Sequence, residues 1–374
     1  MIEYQHVTKF YRTGKKFNYV LDNINFSVSK GNIVVLLGPS GCGKSTLLRL
    51  TNRMETLTSG TIKINDQDIT SASGVQLRRK IGYVIQQIGL FPNKTVAQNI
   101  GMIPKVLQWD KEIIEQRVRE LLAMVRLDPE IYFNRYPAQL SGGQQQRVGV
   151  ARALAADPEV LLMDEPFGAV DPVNREKIQD EFLRLQNKLK KTILFVSHDI
   201  QEAIKMADYI AIFKDGKIQQ YDTPEIILTQ PENEFVADFV GADAALKMLS
   251  LIRVRDALDE NFPHVITAEM PLQQIQNYLT QNKVNFLVVT EDNKPIGFIP
   301  PSRVYQFRYG RAKDIMRNFS VFLETRTTLR EALSEMLAQN TTQLCVVDDE
   351  GNFAGMMSYK NIQATIQDIY GEDN

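Results

Sequence analysis

The chain has 374 residues, 44% of them hydrophobic and 24% charged, with a formal net charge of −2. That size accommodates two or three domains with sizeable cores, and the composition excludes disordered and fibrous classes. A balance so near neutral excludes the broad basic face that sequence-independent nucleic-acid binding needs, so no nucleic-acid partner is expected.

Taken in chain order, "VLDNINFSVSKG" places Leu21, Ile24, Phe26 and Val28 in strand-like alternation before a Lys-Gly turn. "NIVVLLGPSG" follows, a five-residue apolar run ending at glycine, which reads as a strand buried on both faces. "KSTLLRLTNRM" has helical spacing, "GTIKINDQDI" reads as a short outer strand pair, and 110–125 as a polar amphipathic helix. "PEVLLMDEP" is another buried strand, followed by a helix over 174–189. "KTILFVSHD" and "IQEAIKMAD" give a further strand and helix, and "YIAIFKDGKIQQYDTPEII" a hairpin and a turn. Strands alternating with helices over this length predict an α/β core with a largely parallel sheet. No apolar run is long enough to span a bilayer. Cys42 and Cys345 stand far apart and predict no disulfide framework, and the chain opens without a signal-like stretch, so a reducing cytosolic setting is expected.

"GPSGCGKS" at 38–45 fits G-x-x-x-x-G-K-[ST] between a strong strand and a strong helix, the context that makes this pattern a phosphate cradle. Gly38, Gly41 and Gly43 let the backbone wrap so that N–H groups, with Ser40, Cys42 and Thr46, surround phosphate oxygens. The helix N-terminus adds a favourable field. Lys44 would reach the terminal phosphates and Ser45 would take one magnesium position. Cys42 reads as a passive small residue. At the end of "VLLMD", Asp164 would hold magnesium and Glu165 would polarise an attacking water. His198 ends the next apolar strand, where it would hold the γ-phosphate and orient that water. These parts specify nucleotide hydrolysis but not its purpose.

A second glycine motif, "LSGGQ" at 140–144, opens a helix in which Val148, Ala151 and Leu154 face inward and Arg147 serves as an ion-pair partner. With it, residues 1–235 resemble the ATP-binding subunits of ABC transporters. The resemblance implies that Ser141, Gly142, Gly143 and Gln144 close over the γ-phosphate held by a second copy of the chain, giving two composite sites in a head-to-tail pair. It assigns Gln86 to magnesium and to the membrane subunits, with Gln87 as the neighbouring fallback. Tyr11 matches the aromatic that stacks on adenine, and Asp171 in "GAVD" lies in the loop between the two sites, a departure from the commoner Ser-Ala-Leu-Asp form that keeps the acid. A DNA-repair relative would carry a long coiled-coil insertion and a translation relative two ATPase modules, and neither is present. A sensor without turnover would lack Glu165 or His198.

After 251 the texture becomes smaller in scale. "FLVVTEDNKPIGFI" from Phe286 matches "LCVVDDEGNFAGMM" from Leu344 at an offset of 58 residues, each preceded by an amphipathic helix. Two such units should pack as a pseudo-symmetric pair. They resemble a tandem CBS pair, so the expected architecture is an α/β P-loop ABC-type ATPase domain (1–235), a linker (236–250) and two α+β CBS motifs (251–310 and 311–374). ABC ATPases with this appendage resemble importers of compatible solutes: glycine betaine, carnitine, choline or proline betaine. An importer for proline or another amino acid, or a CBS pair serving mainly dimerisation, are the alternative readings. The resemblance implies ATP and Mg2+ as cofactors, transmembrane permease subunits and an extracellular solute-binding protein as partners, and a peripheral place on the cytoplasmic face of the membrane. Adenosine-type CBS sites need a Ser/Thr and an Asp; here Pro300 and Arg303, then Ser358 and Asn361, fill those positions, and neither set is intact. Gating by ionic strength and binding of cyclic di-AMP are the other expectations. A basic run, Arg303, Arg308, Arg311, Lys313 and Arg317, could meet anionic lipid or a phosphate-bearing ligand, or be a solvated face.

Overall fold

Punctuated apolar runs dictate the first layer of organisation. The computed structural model describes residues 1–14, 16–71, 73–85, 89–168, 170–259, 262–282 and 284–371. It divides into two units, Met1–Gly241 and Ala242–Asn374. In the first unit, β1 (Ile2–Thr13), β2 (Lys16–Val28), β4 (Ser59–Ile64) and β5 (Gln67–Asp68) form one sheet in the order β2-β1-β4-β5. The second sheet takes β3 (Ile33–Leu37), β6 (Ile81–Val84), β7 (Val160–Asp164), β8 (Thr192–Val196), β9 (Tyr209–Lys214) and β10 (Lys217–Asp222) in the order β10-β9-β3-β8-β7-β6. All its pairings are parallel except the β9–β10 hairpin at the edge. Every residue of β3, β7 and β8 is buried, as expected for strands covered on both faces.

The largely parallel sheet is the predicted one; the separate antiparallel sheet is an addition. Its pattern also explains a change of parity in the sequence. Leu21 is buried, and so are Ile24, Phe26 and Val28, because Asn23 adopts φ 55° and the β1–β2 register shifts between Val7 and Lys9. A bulge of this kind turns the next side chains to the opposite face. Tyr4 and Phe26 stack at 4.4 Å within the core that joins the two sheets. The order of the central strands matters most for function. β3, β8 and β7 are neighbours, so the loops at their carboxyl ends gather at one place, where ligands of open parallel sheets bind.

The second unit contains two three-stranded sheets, β11 (Val265–Thr267), β12 (Leu287–Glu291) and β13 (Lys294–Ile299), then β14 (Phe322–Glu324), β15 (Gln343–Val347) and β16 (Phe353–Ser358). In each, a parallel pair is followed by an antiparallel one. The repeat is real, but its offset is not constant. Leu287 and Val289 occupy the places of Leu344 and Val346, an offset of 57, whereas Gly297 matches Gly355 at 58. The second hairpin turn is longer by one residue, with Gly351 at φ 83° inside it. The segments leading into each motif cross over. Val254 and Ala257 pack in the core of the β14–β16 half, and Ala312 and Ile315 in that of the β11–β13 half. Asp259 bridges Met356 and Arg317 bridges Phe298, so the exchange is two-fold symmetric. Residues 236–250, read as linker, are helical over Glu234–Val240 and Ala244–Met248, and Leu249 is buried in the second unit.

Candidate active site

The glycine-rich turn leaves β3 and enters the helix Lys44–Thr51 with three residues in conformations that suit glycine: Gly38 at φ 147°, Gly41 at 83° and Gly43 at 106°. A Cβ on Gly38 would lie 2.3 Å from the Phe213 carbonyl oxygen, and one on Gly43 2.5 Å from that of Val20. The loop is therefore held against β9 and β2 at positions no side chain could occupy. Lys44 is buried, and its Nζ donates to the carbonyls of Gly38 (2.6 Å) and Pro39 (2.8 Å). Two neutral carbonyls satisfy its hydrogen bonds but leave a buried positive charge for an anion to neutralise. Cys42 Sγ lies 3.5 Å from the same ammonium, while Ser40 is exposed and Thr46 half-buried.

From the neighbouring strands come the oxygen ligands and the acid. Ser45 Oγ donates to Asp164 Oδ1 at 2.8 Å, across 119 residues of sequence. Burial raises the Asp164 carboxyl above its ordinary range, opposed by the Ser45 hydrogen bond. A hydroxyl and a carboxylate in contact are the hard oxygen donors that Mg2+ prefers, and a cation there would favour the ionised Asp164. Gln86, expected to join them, lies outside the described residues, as does Gln87. Glu165 adopts φ 44°, so the chain turns sharply as it leaves β7, and its N–H donates to the Val196 carbonyl at 3.1 Å. Glu165 Oε2 then stands 3.4 Å from His198 Nδ1. The structure thus brings Lys44, Ser45, Asp164, Glu165 and His198 together at the ends of β3, β7 and β8.

Behind His198 is a group that the sequence reading missed. Ser197 Oγ donates to Glu202 Oε2, and Gln179 Nε2 donates to Glu202 Oε1 at 3.0 Å. An acidic residue in the first turn of a helix is common on surfaces, so "HDIQE" carries no signal of burial. Tyr11 lies on β1 and is exposed; its hydroxyl donates to Glu55, and Lys9 Nζ sits 4.7 Å from its ring centroid.

The second glycine motif is built differently. Ser141 caps the helix Gly142–Leu154, its Oγ accepting from Gln144 N (3.4 Å) while Gln144 Oε1 accepts from Ser141 N (3.0 Å). Gln144 Nε2 also donates to the Tyr132 hydroxyl, and Gly143 rests against Ile178. Ser141 and Gly142 are exposed, and a Cβ on Gly142 would meet nothing within 4 Å. Val148, Ala151 and Leu154 are buried as expected, and Arg147 pairs with Glu181 at 3.7 Å. Asp171 is exposed immediately before the helix Pro172–Leu189.

In the second unit, Ser358 and Asn361 serve each other as the capping box of the helix Tyr359–Tyr370. Pro300 precedes the helix Pro301–Val304, and Arg303 Nε donates to the Ile315 carbonyl at 2.6 Å. Arg311 and Lys313 both pair with Glu269, a single carboxylate shared by two cations of the basic run. Cys42 and Cys345 are both free thiols.

Comparison with known proteins agrees with this arrangement. Residues 21–168 match the ABC transporter family, and residues 254–308 and 312–368 each match the CBS domain. The chain is 45% identical to the osmoprotectant import ATP-binding protein OsmV of Salmonella typhimurium, over 96% of this chain and 94% of that one. It is 41% identical to the glycine betaine/carnitine/choline transport ATP-binding protein OpuCA of Bacillus subtilis, over 100% and 98%. Among solved structures, a dimeric post-hydrolysis state of the ATP-binding cassette MJ0796 bound to ADP and Pi superposes with a TM-score of 0.54 at 35% identity, covering 60% of this chain and 99% of that one.

Proposed function

The chain belongs to the ABC transporter family of ATP-binding subunits, with a tandem CBS pair, and on that premise we propose that two copies act head to tail to power import of a compatible solute such as glycine betaine, carnitine or choline. One observation carries the paired reading. The cradle gathers Lys44, Ser45, Asp164, Glu165 and His198, while Ser141 and Gly142 stand exposed at the start of a separate helix, where Ser141 caps the helix through Gln144. A terminal phosphate needs donors on both sides, and the exposed motif suits the far side of a partner's site.

In this mechanism the cradle amides and Lys44 hold the ATP phosphates, and Tyr11 offers a flat ring to adenine. Ser45, Asp164 and Gln86 would hold Mg2+, which would supply positive charge to offset the negative charge developing on the phosphates. Glu165 draws the proton of the attacking water, and His198 keeps that carboxylate and the γ-phosphate in line. Ser141 and Gly143 of the other copy close the site, with Asp171 between the two nucleotides.

Among the described residues no helix is long and apolar enough to cross a membrane. We place the subunit at the cytoplasmic face, bound to permease subunits that receive solute from an extracellular binding protein. A groove of about 330 Å³ bordered by exposed Met54, Ile85 and Phe91 offers the permease an apolar seat. For the CBS pair, gating by ionic strength is the reading consistent with the Glu269 cluster, and cyclic di-AMP is the alternative. The cluster's ion pairs are exposed, and salt screens such pairs. The test is uptake of radiolabelled betaine, carnitine and choline in cells lacking the gene, at low and high osmolarity. Loss of osmotically controlled uptake of at least one is expected; normal uptake of all three would contradict the solute assignment.

A further inference from the structure

Glu202 is buried, yet it does not reach the cradle. Its two carboxylate oxygens are spent on two different segments. Oε2 accepts from Ser197 Oγ, on the residue immediately before His198. Oε1 accepts from Gln179 Nε2 at 3.0 Å, on the helix that begins just after Asp171. Ser197 is itself fixed on both sides, its N–H donating to the Leu36 carbonyl of β3 at 3.1 Å and its Oγ accepting from Asp199 N at 3.0 Å. Ser197 and Gln179 are both buried, so removing the carboxylate takes away the acceptor each donates to and leaves Ser197 Oγ only the Asp199 carbonyl at 3.5 Å. His198, by contrast, is largely exposed and has few packing contacts of its own to hold it 3.4 Å from Glu165.

We infer that Glu202 is a positioning residue for hydrolysis: it fixes the Ser197–Asp199 turn, and through it His198, while tying that turn to the helix that follows Asp171. The inference rests on the role given above to His198, and extends it to a group that touches neither nucleotide nor water. Two buried donors deprived of their carboxylate acceptor would cost enough to let the turn relax.

The test is a double-mutant cycle in the full-length chain. Glu202→Ala should lower kcat by roughly tenfold or more, while affinity for ADP, which lacks the γ-phosphate that His198 meets, stays unchanged because the cradle and Tyr11 are untouched. Glu202→Gln, which keeps one acceptor and the side-chain volume, should recover part of that loss. Combined with His198→Ala, either substitution should add almost nothing, because the group it positions is already gone. Unchanged turnover in His198→Ala alone would overturn the role on which the inference rests. With that role intact, a double variant whose loss is the product of the single losses would overturn the inference itself. If Glu202→Ala does not fold, the Glu202→Gln cycle decides the same question.

Discussion

Glu165 stands at the end of a fully buried strand in a left-handed conformation, with its carboxylate beside His198 and its backbone anchored to β8. Glu165→Gln keeps the shape and removes the base. It should leave ATP binding intact and lower steady-state hydrolysis about 100-fold or more, measured by phosphate release and nucleotide titration. Normal turnover in that variant would end the general-base assignment. The two thiols make a separate residue-scale prediction. Cys345 is fully buried, and burial pushes its thiol up to about 12. The reactive thiolate is then scarce at pH 8, so peptide mapping after native alkylation should find Cys345 unmodified until the protein is denatured. These residues differ in how readily the sequence displayed them. Lys44 opens a helix after a glycine-rich turn, Asp164, Glu165 and His198 lie at the ends of apolar strands, and all four announce their chemistry. Ser197, Gln179 and Glu202 do not, because their meaning lies in a burial created where the 197–202 stretch meets the helix that carries Gln179.

At the scale of elements, the buried strands of the ATPase domain were legible because a five-residue apolar run can only be a covered strand or a buried helix segment, and its shortness decides. The bulge at Asn23 was visible only as a broken alternation. The exchange of leader segments in the CBS pair had no local signature, since it depends on contacts between residues such as Asp259 and Met356 far apart in the chain. It does explain two glycines. A Cβ on Gly355 would lie 2.6 Å from the Asp259 carbonyl oxygen, and one on Gly297 2.6 Å from that of Arg317. Each glycine admits the backbone crossing from the other half. Gly297→Ala and Gly355→Ala should each destabilise the second unit by about 1–3 kcal/mol, read as an earlier denaturation transition. An unshifted transition in both would refute the close-approach account.

For the whole molecule, the family, the P-loop fold and the ATPase activity rest on motifs short enough to read directly and on relatives that span nearly the full chain. The proposed pairing of two copies is a different matter, because a single chain displays only one half of each composite site. What the sequence offered was a surplus, two glycine motifs for one nucleotide, and the structure adds that the second is exposed at a helix cap. The most direct measurement is a site-directed cross-link between Ser40 and Ser141, both exposed. A chain carrying Ser40→Cys is mixed with one carrying Ser141→Cys, each with Cys42→Ala and Glu165→Gln, and oxidised with or without ATP. The account predicts a disulfide between the two different chains that forms only when ATP is bound. Its absence at saturating ATP, in protein that still binds the nucleotide, would contradict it.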